Sequence, residues 1–160
     1  MFFSREEKSG DRPLLVFVLL ALLVGGAATF FTEPSIATWY AGLAKPSFNP
    51  PNWLFAPVWT ALYVLMGVAA SRIWKRCGFG IEIQAWTAQL VLNFFWSAIF
   101  FSLHQIGAAL IEMGALWLTI AATLVLFVRR DRVAGLLLVP YLAWVSFAFA
   151  LNLAIWRLNG

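Results

Sequence analysis

The sequence predicts an all-α membrane protein, a bundle of five transmembrane helices forming a single domain over residues 1–160. Composition is the first sign. The chain is 62% hydrophobic and 11% charged, with a mean hydropathy of +0.84, whereas soluble domains carry about 25% charged residues. A chain of 160 residues could not hide so much apolar surface from water. The second sign is that the apolar residues form continuous runs of the roughly 17–25 residues needed to cross a bilayer. They do not alternate as lipid-facing strands must. The third is the distribution of basic residues. Arg5, Lys8 and Arg12 precede the first run, Arg72, Lys75 and Arg76 follow the second, and Arg129, Arg130 and Arg132 follow the fourth. Only Lys45 and Arg157 fall on the opposite side. That bias agrees with five spans and predicts a cytoplasmic N-terminus, while leaving open an inner or an outer membrane.

Taken in order, the first span is Pro13 to Phe31. A basic start and the small-residue patch Gly25-Gly26-Ala27-Ala28 also fit a cleaved signal peptide, but the run is long enough to span. The second, Val58 to Trp74, is entered through Pro57, a residue suited to a first helical turn. The third is Ile83 to Leu103, the fourth Ile106 to Phe127, and the fifth Val133 to Trp156. The last contains Pro140, which a bundle can accommodate. Gly78, Gly80, Gly107 and Gly135 are read as joints.

Several functions are excluded. The sequence pI is near 9.7, yet the basic residues lie in separated clusters and form no nucleic-acid-binding stripe. A single cysteine, Cys77, permits neither an intrachain disulfide nor a thiolate metal site. A single histidine, His104, rules out a metal cage, although one axial bond to haem iron is conceivable. Its place at the end of the third span reads more simply as a solvated interfacial residue.

The one long connection, Thr32 to Pro57, holds five prolines. Long ordered loops usually carry function, and Pro46, Pro50 and Pro51 lower the entropy of the free segment. Trp39, Tyr40, Phe48, Trp53 and Phe55 suit either an interfacial belt or a flat ligand. In the third span Gln89, Asn93, Trp96 with Ser97, Phe100 and His104 recur every three to four residues, so they share a helical face that lipid forces inward. Such amides either join neighbouring helices, at about 0.6 kcal/mol each, or line a binding site. Trp59 and Tyr63 share a face of the second span, as do Trp144, Ala148, Leu151 and Asn152 of the fifth. Glu112, alone among acids inside a span, is a functional candidate because a stranded carboxylate is costly there. Its plainer reading is a protonated or hydrogen-bonded carboxyl near a helix start. No acid–base pair or nucleophile triad is visible, so no catalytic residue is assigned. Small residues at Gly67 and Ser71, and at Ala108, Glu112 and Ala115, permit close helix approach in a dimer.

The segment WYAGLAKPSFNPPNWLFAPVWTALYVLMG from Trp39 to Gly67 closely resembles the signature of the TspO/translocator protein family, the tryptophan-rich sensory proteins also known as peripheral-type benzodiazepine receptors. The likeness continues through Gln89, Asn93, Trp96 and Ile99 to Phe101, and through PYLAWVSFAFALN from Pro140 to Asn152. It covers nearly all of the chain beyond the first helix and is closest to bacterial members. The resemblance implies a five-helix bundle, commonly a homodimer, whose pocket under the first loop binds porphyrins, haem or other flat apolar ligands, with no cofactor of its own. Sensing, regulation under stress and transport are the family's roles. The resemblance places ligand contacts on Tyr40, Pro50, Trp59, Asn93, Trp144 and Ala148. The inward faces add Tyr63, Gln89, Trp96, Phe100 and Asn152. Trp59 and Trp144 match tryptophans tied to light- and oxygen-dependent protoporphyrin breakdown in some bacterial relatives, which gives an enzymatic alternative. Sterol-like lipid is a further ligand class in animal members. Their motif has a tyrosine before the final Trp-Arg, whereas this chain has Leu153 before Trp156 and Arg157.

Overall fold

The computed structural model describes residues 10–160. Arg5 and Lys8, used above for orientation, lie outside the described residues. Within them the chain forms helices and loops with no strand. The helices are α1 (Arg12–Ile36), α2 (Phe55–Cys77), α3 (Ile81–Ser97), α4 (Ile106–Arg130), α5 (Arg132–Leu137) and α6 (Val139–Asn159). Five segments are long and apolar enough to cross a membrane, α5 and α6 together making the fifth.

The expected boundaries shift in three places. Helix α1 does not stop at Phe31 but runs five residues further, through Pro34. Proline removes one intrahelical donor, but the last turn is held from outside, because buried Ser35 donates through Oγ to the Phe101 carbonyl at 2.6 Å. Loop one, the connection from α1 to α2, therefore spans 37–54 and contains two single 3₁₀ turns, Tyr40–Gly42 and Asn52–Leu54. The third span is not α-helical to its end: α3 continues as a π-helical turn over Ala98–Ser102. The fifth span breaks at Leu138, two residues before Pro140, whose ring would clash with the carbonyl four residues earlier in an unbroken helix.

The glycines also depart from expectation. Gly78 does end α2, with a φ of 64° that favours glycine. Gly107 and Gly135, however, lie inside α4 and α5. A Cβ at Gly135 would strike Val128, and one at Gly107 would press on the Trp156 indole. Close packing, not chain reversal, requires them. Gly67 is likewise used within the chain, since a Cβ there would collide with the backbone of Val18 on α1. Of the small residues considered for a dimer, Gly67 and Ser71 are buried, while Ala108 and Ala115 stay exposed on α4.

The two ends of the bundle are built differently. At the end carrying the α2–α3 and α4–α5 connections, Met66, Ala69, Ala70 and Ile73 of α2 pack without exposure against Ile120 and Phe127 of α4 and Ala134 of α5. Asp131 fastens this end. Its carboxylate caps α5 by accepting from the amides of Val133 and Ala134 and is met by the Nε atoms of Arg72 at 2.9 Å and Arg76 at 3.0 Å. Burial opposes its charge, but the bonds from Arg72 and Ala134 and the two guanidinium charges prevail and hold the carboxyl below its usual range. Arg130 Nε pairs with Glu82 at 2.7 Å, joining α4 to the start of α3. The other end, under loop one, holds the cavity.

Candidate functional site

The inward face of α3 is a relay of side chains. Tyr63 on α2 donates to Asn93 Oδ1 at 2.7 Å, Asn93 Nδ2 donates to the Tyr141 hydroxyl at 2.8 Å, and Tyr141 donates to Gln89 Oε1 at 2.7 Å. One turn on, Trp96 Nε1 donates to Asn152 Oδ1 at 3.1 Å, and Asn152 Nδ2 donates to the Ile106 carbonyl at 3.1 Å. Buried polar groups in lipid need such partners. The relay thus joins α2, α3, α4 and α6, and it forms one wall of a cavity of about 430 Å³. That is the size of ordinary small-molecule sites, roughly 300–1,000 Å³.

Of the predicted contact residues, Tyr40, Trp59, Tyr63, Asn93, Trp96, Phe100, Trp144, Ala148 and Asn152 line this cavity. Two do not. Gln89 is 1% exposed and engaged with Tyr141 and Met66 in the packed half. Pro50 lies in loop one, half-buried, with its carbonyl accepting from Asn49 Nδ2 at 3.2 Å. For the α3 stripe, both readings hold in different places: Gln89 joins helices only, whereas Asn93, Trp96 and Asn152 join helices and line the cavity.

The lining is largely aromatic. Trp59 lies 5.7 Å from Tyr63 between ring centres, Trp144 lies 5.9 Å from Phe55, and Trp96 stacks on Phe100 at 5.2 Å. The π-helical turn presents both Phe100 and Phe101 to the cavity, fitting the frequent placement of such turns at functional sites. Trp144 stands apart: its indole N–H is buried without any hydrogen-bond partner, a condition rare in buried donors.

Loop one closes the top. Tyr40 is buried beneath it, donates to Asn49 Oδ1 at 3.1 Å and has its hydroxyl pKa pushed up by burial. The loop is tied to α6 by a reciprocal pair, Ala44 N donating to Asn159 Oδ1 at 3.0 Å and Asn159 Nδ2 donating to the Ala44 carbonyl at 2.9 Å. It is tied to the α3–α4 joint by Trp39, whose ring stacks on His104 at 4.2 Å. His104 is exposed as expected, but it is not simply solvated. It carries that stack and, with φ of 54°, is the one non-glycine among the described residues in left-handed backbone. Glu112 stays outside the cavity lining, with both carboxyl oxygens buried and unpartnered. Cys77 is exposed at the end of α2.

The sequence reading missed the contribution of α1. Leu22, Gly25, Gly26, Thr29, Thr32 and Glu33 all face the cavity. Gly25 lets Tyr63 come so close that a Cβ would collide with its ring. The signal was present as small and polar residues every three to four positions along an apolar helix. The lining residues that remain exposed, Gly26, Thr29 and Glu33 on α1, Asn52 at the end of loop one, and Ala56 and Thr60 on α2, mark a lateral opening between these two helices.

Five spanning segments around a closed-topped aromatic cavity that opens sideways between α1 and α2 define a polytopic membrane protein with an internal small-molecule-sized site. The comparisons make the class specific. The model of the TspO/MBR family matches residues 17–157, and the chain belongs to that family. It is similar to the tryptophan-rich protein TspO of Chlorobaculum tepidum, 43% identical with 91% of this chain and 95% of the relative covered. The protein of the same name from Archaeoglobus fulgidus is 44% identical over 91% of this chain and 96% of its own. The human translocator protein is 38% identical over 92% of this chain and 90% of its own.

Proposed function

We propose that this protein binds a flat, mostly apolar small molecule, of which a porphyrin or related tetrapyrrole is the best-suited class, and acts as its membrane sensor or carrier. The observation that carries the reading is the aromatic lining, in which Trp59, Trp96, Phe100 and Trp144 surround one cavity of about 430 Å³. Aromatic rings pair at about 0.5–1.5 kcal/mol beyond the area they bury, so a flat conjugated ligand whose faces meet Trp59, Trp96 and Phe100 is the occupant these walls favour. The names of the relatives, translocator protein and tryptophan-rich sensory protein, support a binding role over an enzymatic one. The basic clusters support an orientation with loop one facing away from the cytoplasm.

The test is a titration of purified protein with protoporphyrin IX in the dark, followed by tryptophan fluorescence, for wild type, Trp59→Phe and Trp144→Phe. Saturable quenching is expected for wild type. Trp59→Phe and Trp144→Phe keep a ring but reduce its area, and each should weaken binding about two- to tenfold. Absence of saturable quenching in wild type would overturn the reading, and equal affinity in all three would remove the two indoles from it. Illumination then separates the alternative: porphyrin loss that requires both tryptophans would replace the sensor or carrier role with light-driven degradation.

A further inference from the structure

We infer that Glu33 makes the lateral opening selective for ligands whose outward end is neutral, hydrogen-bond-donating or cationic, and against ligands with an anionic end. This rests on the reading that the cavity binds a flat apolar ligand, and it names the chemistry of that ligand's exposed end. Glu33 is the one charged residue in the lining among the described residues, and it is exposed on the α1 side of the opening. It takes part in no ion pair among those residues.

The neighbouring hydroxyls reinforce its charge. On α1, Thr29 donates to the Gly26 carbonyl at 2.6 Å and Thr32 to the Ala28 carbonyl at 3.1 Å. Across the gap on α2, Thr60 donates to the Ala56 carbonyl at 2.8 Å. A hydroxyl has one donor and two acceptor lone pairs. With the donors satisfied by their own helices, the three threonine hydroxyls have only lone pairs left to offer an entering molecule. An entering molecule therefore meets acceptors from both helices beside a carboxylate. Asn52 and Trp59 are the exceptions, since the Asn52 amide and the Trp59 indole N–H can donate. The basic residue of loop one does not neutralise this rim. Lys45 donates to the carbonyls of Leu43 at 3.1 Å and Ala41 at 3.4 Å, lies over the Tyr40 ring at 4.7 Å, and is absent from the lining.

The experiment compares protoporphyrin IX, a dicarboxylate, with its dimethyl ester, which has the same ring and no charge. Affinities are measured in zwitterionic nanodiscs for wild type, Glu33→Gln and Glu33→Lys. The ratio of ester to acid affinity is compared between variants, so the ester's greater lipid solubility cancels. An exposed charge shifts binding by roughly two- to fivefold. Glu33→Gln should lower the ratio by about that factor and Glu33→Lys should lower it further, while affinity for the ester stays constant and confirms an intact site. A ratio unchanged in both variants, with both porphyrins bound, would overturn the role of Glu33 alone. Failure of both porphyrins to bind wild type saturably would overturn the ligand reading and this inference together.

Discussion

The same helices make a closed half and an open half, and the two treat polar groups oppositely. In the half fastened by Asp131, Arg72 and Arg76 pair with Asp131, Arg130 pairs with Glu82, and the apolar core is fully buried. In the half under loop one the packing stops, a cavity of about 430 Å³ remains, and the indole N–H of Trp144 goes unanswered. The fully buried apolar core lies in the first half, and the second keeps a small-molecule-sized space. Such division is expected, because sites tolerate local defects that the rest of a fold must offset.

The comparison can be broken most forcefully at glycine. Gly67→Val in the closed half would force α1 away from α2 at Val18. Overpacking of this kind costs about 1–3 kcal/mol or more, and since backbone is the obstacle, loss of folded protein by size-exclusion chromatography is expected. Gly26→Ala at the opening has nothing within 4 Å to meet and should elute and melt like wild type. Equal damage from both would show that the halves do not differ in packing.

A smaller effect is expected where the halves join. Tyr141→Phe leaves Asn93 Nδ2 and Gln89 Oε1 without their shared hydroxyl. Unsatisfied buried groups cost about 1–3 kcal/mol, so thermal stability in detergent should fall clearly while the protein still folds. An unchanged melting temperature would mean that the relay contributes shape and not stability.

The smallest and most conditional effect belongs to Asp131. Asp131→Ala removes the cap of α5, worth about 0.5–2 kcal/mol, together with its two arginine partners. Because the folded carboxyl titrates below its ordinary value, its contribution is complete above the unfolded pKa of about 3.9 and disappears as pH falls through the lower folded value. Wild type should therefore lose stability relative to Asp131→Ala only in acid below about pH 4. A difference between the two proteins that persists undiminished well below that range would sink the assignment.

How much of this was legible in the sequence depended on which coordinate mattered. Periodicity identifies a helical face, and the faces of α2, α3 and α6 were read correctly as inward. It does not report depth along the face. Gln89 and Asn93 are one turn apart on α3, yet only Asn93 reaches the cavity. Pro50 entered the candidate set through family resemblance, and its own surroundings in loop one do not bring it to the lining. Only the end of the α1 wall is hidden by the boundary, since Glu33 and Pro34 look like loop residues. Leu22, Gly25, Gly26 and Thr29 lie inside the expected span, where small side chains on an apolar helix do not stand out as a face. Tertiary contacts of Ser35, with the Phe101 carbonyl and with His104, hold the end of α1, and local sequence cannot announce a partner 66 positions away.

The π-helical turn at Ala98–Ser102 has a consequence for comparing chains of this family. Such a turn is what one residue inserted into an α-helix looks like, so every position after it is rotated by about 100° relative to an uninterrupted helix. Two relatives that differ by one residue here would share Asn93 and Trp96 in space but disagree about which aromatic side chain stands at the end of α3. A single gap in an alignment at this point is therefore a statement about geometry, and its placement decides whether Phe100 or Phe101 is paired with the ring that closes the same wall elsewhere.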